Sequence, residues 1–131
     1  MVKETLLKSI KKDFKTIFEE KNILGILLYG SYSIDQETNR SDVDICIVAP
    51  KENNFELFSY ISQTIDIYSK KYDVRFFSEL PIHIKIKVIE NGILIYSPDK
   101  YELYEYFYFY RKLWNDQKHR QKVSKEELLS F

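Results

Sequence analysis

A single cysteine, Cys46, is all the chain has, so no internal disulfide can brace it. Net charge is missing as well: twenty basic side chains offset twenty acidic ones. That balance argues against a protein that coats nucleic acid chiefly by electrostatics, and no stable direct nucleic-acid binding is expected. No apolar run approaches the roughly 18 residues of a membrane span, and no secretory n-region and h-region open the chain. A cytoplasmic location, away from any membrane, is therefore the expectation. The two histidines, His83 and His119, lie far apart without Cys or carboxylate partners at ligand spacing, which leaves no zinc pattern. Repeats, linkers and low-complexity blocks are absent too.

What remains is 131 residues of ordinary globular composition, 44% hydrophobic and 31% charged, enough for one compact domain over 1–131. Aromatics are the surplus: eleven Tyr and nine Phe, crowded toward the C-terminus.

From about residue 3 to 21, Leu6, Leu7, Ile10, Phe14, Ile17 and Phe18 recur at helical spacing, which predicts an amphipathic helix with Asn22 as its stop. Ile23 to Tyr29 is nearly all apolar and reads as a strand buried on both faces. Gly30 to Arg40 reads as loop, with Asp35, Thr38 and Asn39 as turn formers. A second strand runs from about Asp42 to Val48. Asn residues around 53–54 offer helix N-caps, followed by a helical stripe of Phe55, Phe58, Ile61, Ile65 and Tyr68 to about Lys70. Tyr72 to Phe77 is a short strand with Asp73 and Arg75 on one face. Residues 81–90 fit a strand by the alternation of Ile82, Ile84, Ile86 and Val88, and a helix by Pro81 and Gly92 at its ends. Ile93 to Tyr96 is a fourth strand. From about Lys100 to Gln121 no Gly or Pro interrupts a helix with Leu103, Phe107, Tyr110 and Trp114 on one face. Ser124-x-x-Glu127 then has the form of a capping box for a last short turn.

The chemistry concentrates between residues 28 and 48. A first apolar run ends in Gly30-Ser31, and a second opens with Asp42 and Asp44, two residues apart and so on one strand face, with Val43, Ile45 and Ile47 on the other. Paired carboxylates repel unless they share a proton or a cation, and clustered hard oxygens suit Mg²⁺ completed by substrate phosphates. Gly30 allows close backbone approach, and Ser31 adds a hydroxyl and an N–H that can hold phosphate oxygens.

Gly-Ser, an ungapped polar loop, and Ser41-Asp42-x-Asp44 leading into an apolar strand resemble the signature of the polymerase β-like nucleotidyltransferases, in particular the minimal nucleotidyltransferase (MNT) branch. The resemblance spans nearly the whole chain and implies an α/β fold: a small mixed sheet with helices on one face and a catalytic carboxylate cluster on the other. It favours a helix over residues 81–90. It implies that Asp42, Asp44 and Asp73 are the catalytic, metal-binding carboxylates for two Mg²⁺ ions, with Gly30, Ser31 and Ser41 holding the nucleotide, ATP. Members of this branch are typically antitoxins that transfer AMP to a tyrosine of a HEPN-domain RNase toxin. The partner implied here is such a toxin, engaged through the aromatic C-terminal region.

One departure stands out: the pattern has Ala-Arg-Gly where this chain has Ser33-Ile34-Asp35. Losing that Arg removes a guanidinium from the loop, with Arg40, Arg75, Lys85 and Lys87 as candidate replacements. It keeps a second expectation in view, an antitoxin that acts by binding alone. A third is a transferase for a small hydroxylated acceptor such as an aminoglycoside. Elsewhere ordinary roles suffice: Cys46 as a buried strand residue, and Lys118 to Lys122 as a solvated helix end. Seven aromatics between Tyr101 and Tyr110 surround more than one side of the last helix, as interface anchors do, for a partner or for self-association.

Overall fold

Alternation along one strand sets the layout. Val43, Ile45 and Ile47 pack into one apolar cluster with Ile26, Leu28, Ile10, Phe14, Leu57 and Ile61. Cys46 and Val48 pack into a second with Leu27, Phe77, Val88, Leu103 and Phe107. Each fully buried Ile, Leu or Phe contributes about 2 kcal/mol, so both faces of the sheet are closed by helices.

The computed structural model describes residues 2–30 and 42–129. Helices α1 (Val2–Asp13) and α2 (Lys15–Glu20) lead to strands β1 (Gly25–Tyr29) and β2 (Val43–Val48). Helix α3 (Asn54–Thr64), strand β3 (Tyr72–Phe76) and a 3-10 turn (Phe77–Glu79) follow, then α4 (Ile82–Asn91), β4 (Ile93–Tyr96) and α5 (Lys100–Leu129). The sheet runs β3-β2-β1-β4. β1 is antiparallel to both β2 and β4, whereas β2 and β3 are parallel, so the sheet is mixed as expected.

Several boundaries differ from the sequence pattern. The first helix breaks at Phe14, where φ −91° and ψ 3° leave the helical region. Its N–H still donates to Ile10 O at 2.9 Å, because the Phe14 ring is fully buried and anchors the bend. α3 stops at Thr64, six residues short of Lys70. Asp66 ends the stripe: its carboxylate accepts from Ser69 N and Ser69 Oγ, and the turn throws Tyr68 into solvent while Ile65 and Ile67 stay buried. The helical reading of 81–90 holds, with Ile86 and Val88 buried. α5 continues through Ser124–Glu127 to Leu129 in place of a separate turn.

The expected fold stands, with one correction to its layering. α1, α2 and α3 cover one face, but the face that carries the carboxylates is not free of helices. α4 and α5 pack over Leu27, Cys46 and Val48, because those residues continue the alternation of Asp44 as an apolar surface that must be covered.

Candidate active site

Two strands and one glycine corner build the site. The N–H of Val43 donates to Lys71 O at 2.7 Å and fixes where β3 enters beside β2. Lys71 takes a φ of 58°, and the resulting register puts Asp44 opposite Asp73 and Cys46 opposite Arg75. Partnered residues of neighbouring strands share a face, so the two carboxylates meet.

They meet closely. Burial, the charges of Asp73 and Asp42, and a hydrogen-bonding contact with Asp73 push the Asp44 carboxyl up to about 6. Arg75, two residues on and on the same face, donates from Nε to Asp73 Oδ1 at 3.1 Å. That pair is largely exposed, and exposed ion pairs contribute about 0–1 kcal/mol. Arg75 can therefore be drawn to an arriving anion at little cost.

Gly30 closes the corner. It follows β1 with φ +71°, and a Cβ there would collide with the Asp44 carboxylate. Two independent restrictions thus select glycine, the left-handed backbone and the approach of Asp44. Tyr29 is the register partner of Asp44 on β1. Burial first, then the nearby Asp44 charge, raise its hydroxyl far above the ordinary value, so it stays protonated and able to donate.

Of the residues singled out from sequence, Asp44, Asp73 and Gly30 converge. Asp42 lies exposed just before β2, one residue outside the ladder that begins at the Val43–Tyr72 pair, and it adds charge to Asp44 from there. Ser31 and Ser41 lie outside the described residues, as does the Ser33-Ile34-Asp35 departure. Cys46 is fully buried and its thiol is raised by burial, consistent with packing. Lys85 is engaged elsewhere: its ammonium donates to Leu80 O at 2.8 Å and sits 5.1 Å from the Tyr110 ring centroid.

Sequence reasoning passed over two contributors. Tyr29 was visible only as the end of an apolar run, and its role depends on the β1–β2 register. Asp13 accepts from Tyr72 Oη at 2.5 Å and from Lys70 Nζ at 2.6 Å, which ties the end of α1 to the residues just before Asp73. No local pattern links positions almost sixty residues apart.

A divalent cation fits the donor set. Two facing carboxylates, one displaced toward protonation by burial and then by the charge of the other, lose the repulsive part of that penalty when a hard cation lies between them. Among the described residues no three His, Cys, Asp or Glu side chains are gathered tightly enough to ligate one ion. The acidic centre is the Asp44–Asp73 pair.

The class that the geometry defines is an α/β protein whose mixed sheet carries an acidic pair beside a positive-φ glycine at a strand end. Residues 12–101 match the family model described as polymerase beta, nucleotidyltransferase. The chain belongs to that nucleotidyltransferase family. It is 41% identical over 98 residues to a Methanocaldococcus jannaschii protein named "Putative protein adenylyltransferase MJ1547", covering 75% of each chain. A second protein of that organism, "Putative protein adenylyltransferase MJ0141", is 32% identical over 69 residues, covering 53% of this chain and 69% of its own. Among solved structures, a mutant of the MntA–HpeT toxin–antitoxin superposes with a TM-score of 0.69 at 14% identity, over 94% of this chain and 98% of that one. The MNT antitoxin structure with tri-AMPylated Shewanella oneidensis HEPN toxin gives a TM-score of 0.64 at 14% identity, over 97% of this chain and 98% of the matched chain. At such identities these two show a shared fold. Among the described residues no helix is long and apolar enough to cross a membrane.

Proposed function

We propose that this chain is a protein adenylyltransferase antitoxin that moves AMP from ATP to a tyrosine hydroxyl of a HEPN-type RNase toxin and thereby silences it. The carrying observation is the pairing of Asp44 with Asp73 on neighbouring strands, with Gly30 packed against the Asp44 carboxylate. The names of the similar proteins point to adenylyl transfer and to a HEPN acceptor.

In this reading the acceptor oxygen attacks the α-phosphorus of ATP. A new P–O bond forms as the bond from that phosphorus to the bridging oxygen breaks, and pyrophosphate leaves with the electron pair. Asp73 takes the hydroxyl proton. Asp44 and Asp73 would hold Mg²⁺, with Asp42 adding its charge from the entrance of β2; when bound, the ion supplies charge neutralisation at the phosphates. The remaining work is positioning. Gly30, with Ser31 and Ser41, holds the triphosphate, Tyr29 donates toward it, and Arg75 adds the guanidinium lost from the loop.

The toxin is engaged through α5. Tyr101, Tyr104, Tyr108 and Phe109 are all more than half exposed, and Tyr104, Tyr108 and Arg111 border a cleft of about 440 Å³ between β4, α4 and α5. Mass spectrometry of the cognate toxin after incubation with this protein, ATP and Mg²⁺ tests the reading: adenylyl adducts on tyrosine are expected. An unmodified toxin that is nevertheless inhibited would overturn the transfer and leave neutralisation by binding.

A further inference from the structure

We infer that the open edge of β3 is a docking strand for an extended stretch of the acceptor polypeptide, which adds to the sheet and brings a side-chain hydroxyl to Asp73. Among the described residues β3 is the terminal strand of the sheet. The bond from Val43 N–H to Lys71 O and the parallel register turn the backbone of residues 71, 73 and 75 toward β2. By strand alternation the N–H and C=O groups of Val74 and Phe76 face outward. Such an edge is a template for one more strand.

The edge has apolar walls. Phe55 on α3 is 80% exposed and Tyr68 in the turn before β3 is 88% exposed, with Phe58 39% exposed beside them. These rings, with Asp73, Arg75 and Glu79, line a groove of about 470 Å³ along β3. Exposed aromatics at a sheet edge are costly unless something covers them. The groove runs onto the Asp73–Arg75 pair, so whatever lies in it is delivered to the reacting groups. An extended polypeptide satisfies all three features: backbone pairing along the edge, apolar side chains against the rings, and alternate side chains directed to the face that carries Asp73.

The inference rests on the proposed transfer for the fate of the hydroxyl, but docking is measured separately. The probe is a blocked heptapeptide of alternating Val and Tyr, added to the full chain with Mg²⁺ and a non-hydrolysable ATP analogue. Amide hydrogen exchange is expected to slow at Val74 and Phe76. N-methylation of one alternate set of peptide residues should abolish that protection, and methylation of the other set should not. Phe55→Ser with Tyr68→Ser should weaken peptide binding about tenfold or more, as for loss of interface anchors, with nucleotide affinity unchanged.

Protection that is insensitive to both methylation patterns, or confined to α5, would overturn the docking strand. So would protection that appears without peptide and grows with protein concentration, since the occupant would then be a second copy of the chain. With ATP in place of the analogue, edge protection without peptide adenylylation keeps the docking strand and removes the transfer reading. Adenylylation without edge protection does the reverse.

Discussion

Asp44 and Asp73 occupy partnered positions on parallel strands and share a face, and burial together with the charge of Asp73 pushes the Asp44 carboxyl up to about 6. This relationship makes the folded protein carry an electrostatic cost at neutral pH that a cation can remove. Asp44→Asn should lower adenylyl transfer by at least about 100-fold, the loss typical of one transition-state charge partner. The same substitution should raise metal-free stability at neutral pH by about 1 kcal/mol, a figure discounted for solvent screening of a half-exposed group. Turnover assays paired with urea melts read both, and a melt showing loss of stability would contradict the assignment.

The pH dependence has a definite sign. Asp44 has a folded value raised from 3.8 to about 6. Its contribution to stability is complete below the unfolded value and is lost as pH rises through about 6. Millimolar Mg²⁺ should therefore raise the melting temperature near pH 7.5 and do little near pH 4.5. Calorimetry at the two pH values decides it, and a larger Mg²⁺ effect at the lower pH would be inconsistent with this pair.

Gly30→Ala should cost about 2 kcal/mol or more, combining left-handed strain with the collision at Asp44. In an Asp44→Ala background the carboxylate collision is removed and only the 3.2 Å approach to the remaining Cβ persists, so the cost should fall toward the backbone strain, about 1–2 kcal/mol. A double-mutant cycle in denaturant measures the difference, and equal costs in both backgrounds would show that the two residues do not interfere.

Asp13 titrates with the opposite sign. Burial alone would raise its carboxyl, but hydrogen bonds from Lys70 and Tyr72, with the Lys70 charge, hold it below 3.8. Its contribution is present above the unfolded value and is lost as pH falls through the lowered folded value. Tyr72→Phe should destabilise by about 1–2 kcal/mol through the lost charge-assisted bond, and exchange should quicken at the amides of β3. Unchanged exchange there would remove Asp13 as an anchor of the strand that bears Asp73.

The exposed rings of α5 allow a clean separation of binding from folding. Tyr101→Ser, Tyr108→Ser and Phe109→Ser together should leave the melting temperature within about 6 °C, since surface changes usually stay within about 0.5 kcal/mol each. Toxin affinity should fall at least about tenfold. Titration calorimetry with the cognate toxin would refute the α5 interface if affinity held.

Much of this architecture was legible along the chain because it is local. The alternation of Asp42, Asp44, Cys46 and Val48, the Asn53 cap that accepts from Glu56 N–H at 3.0 Å, and the buried stripe of Leu103 and Phe107 all follow from one strand or one helix. The errors lie where packing against distant elements, or in one case a local side-chain turn, overrides the helical period. Phe14 bends a helix to reach the core, Asp66 stops α3 early, and α4 and α5 cover a face expected to be open.

The residues from 28 to 48 by themselves determined the kind of chemistry, because glycine at a strand end and carboxylates two apart on a strand are set by backbone geometry alone. Only the tertiary structure decided which acids meet. Parallel pairing of β3 with β2, set by the Val43–Lys71 bond and braced through Asp13, brings Asp73 to Asp44 and leaves Asp42 outside the ladder. A strand's register is fixed by the partner it packs against, and no property of either strand read singly contains it.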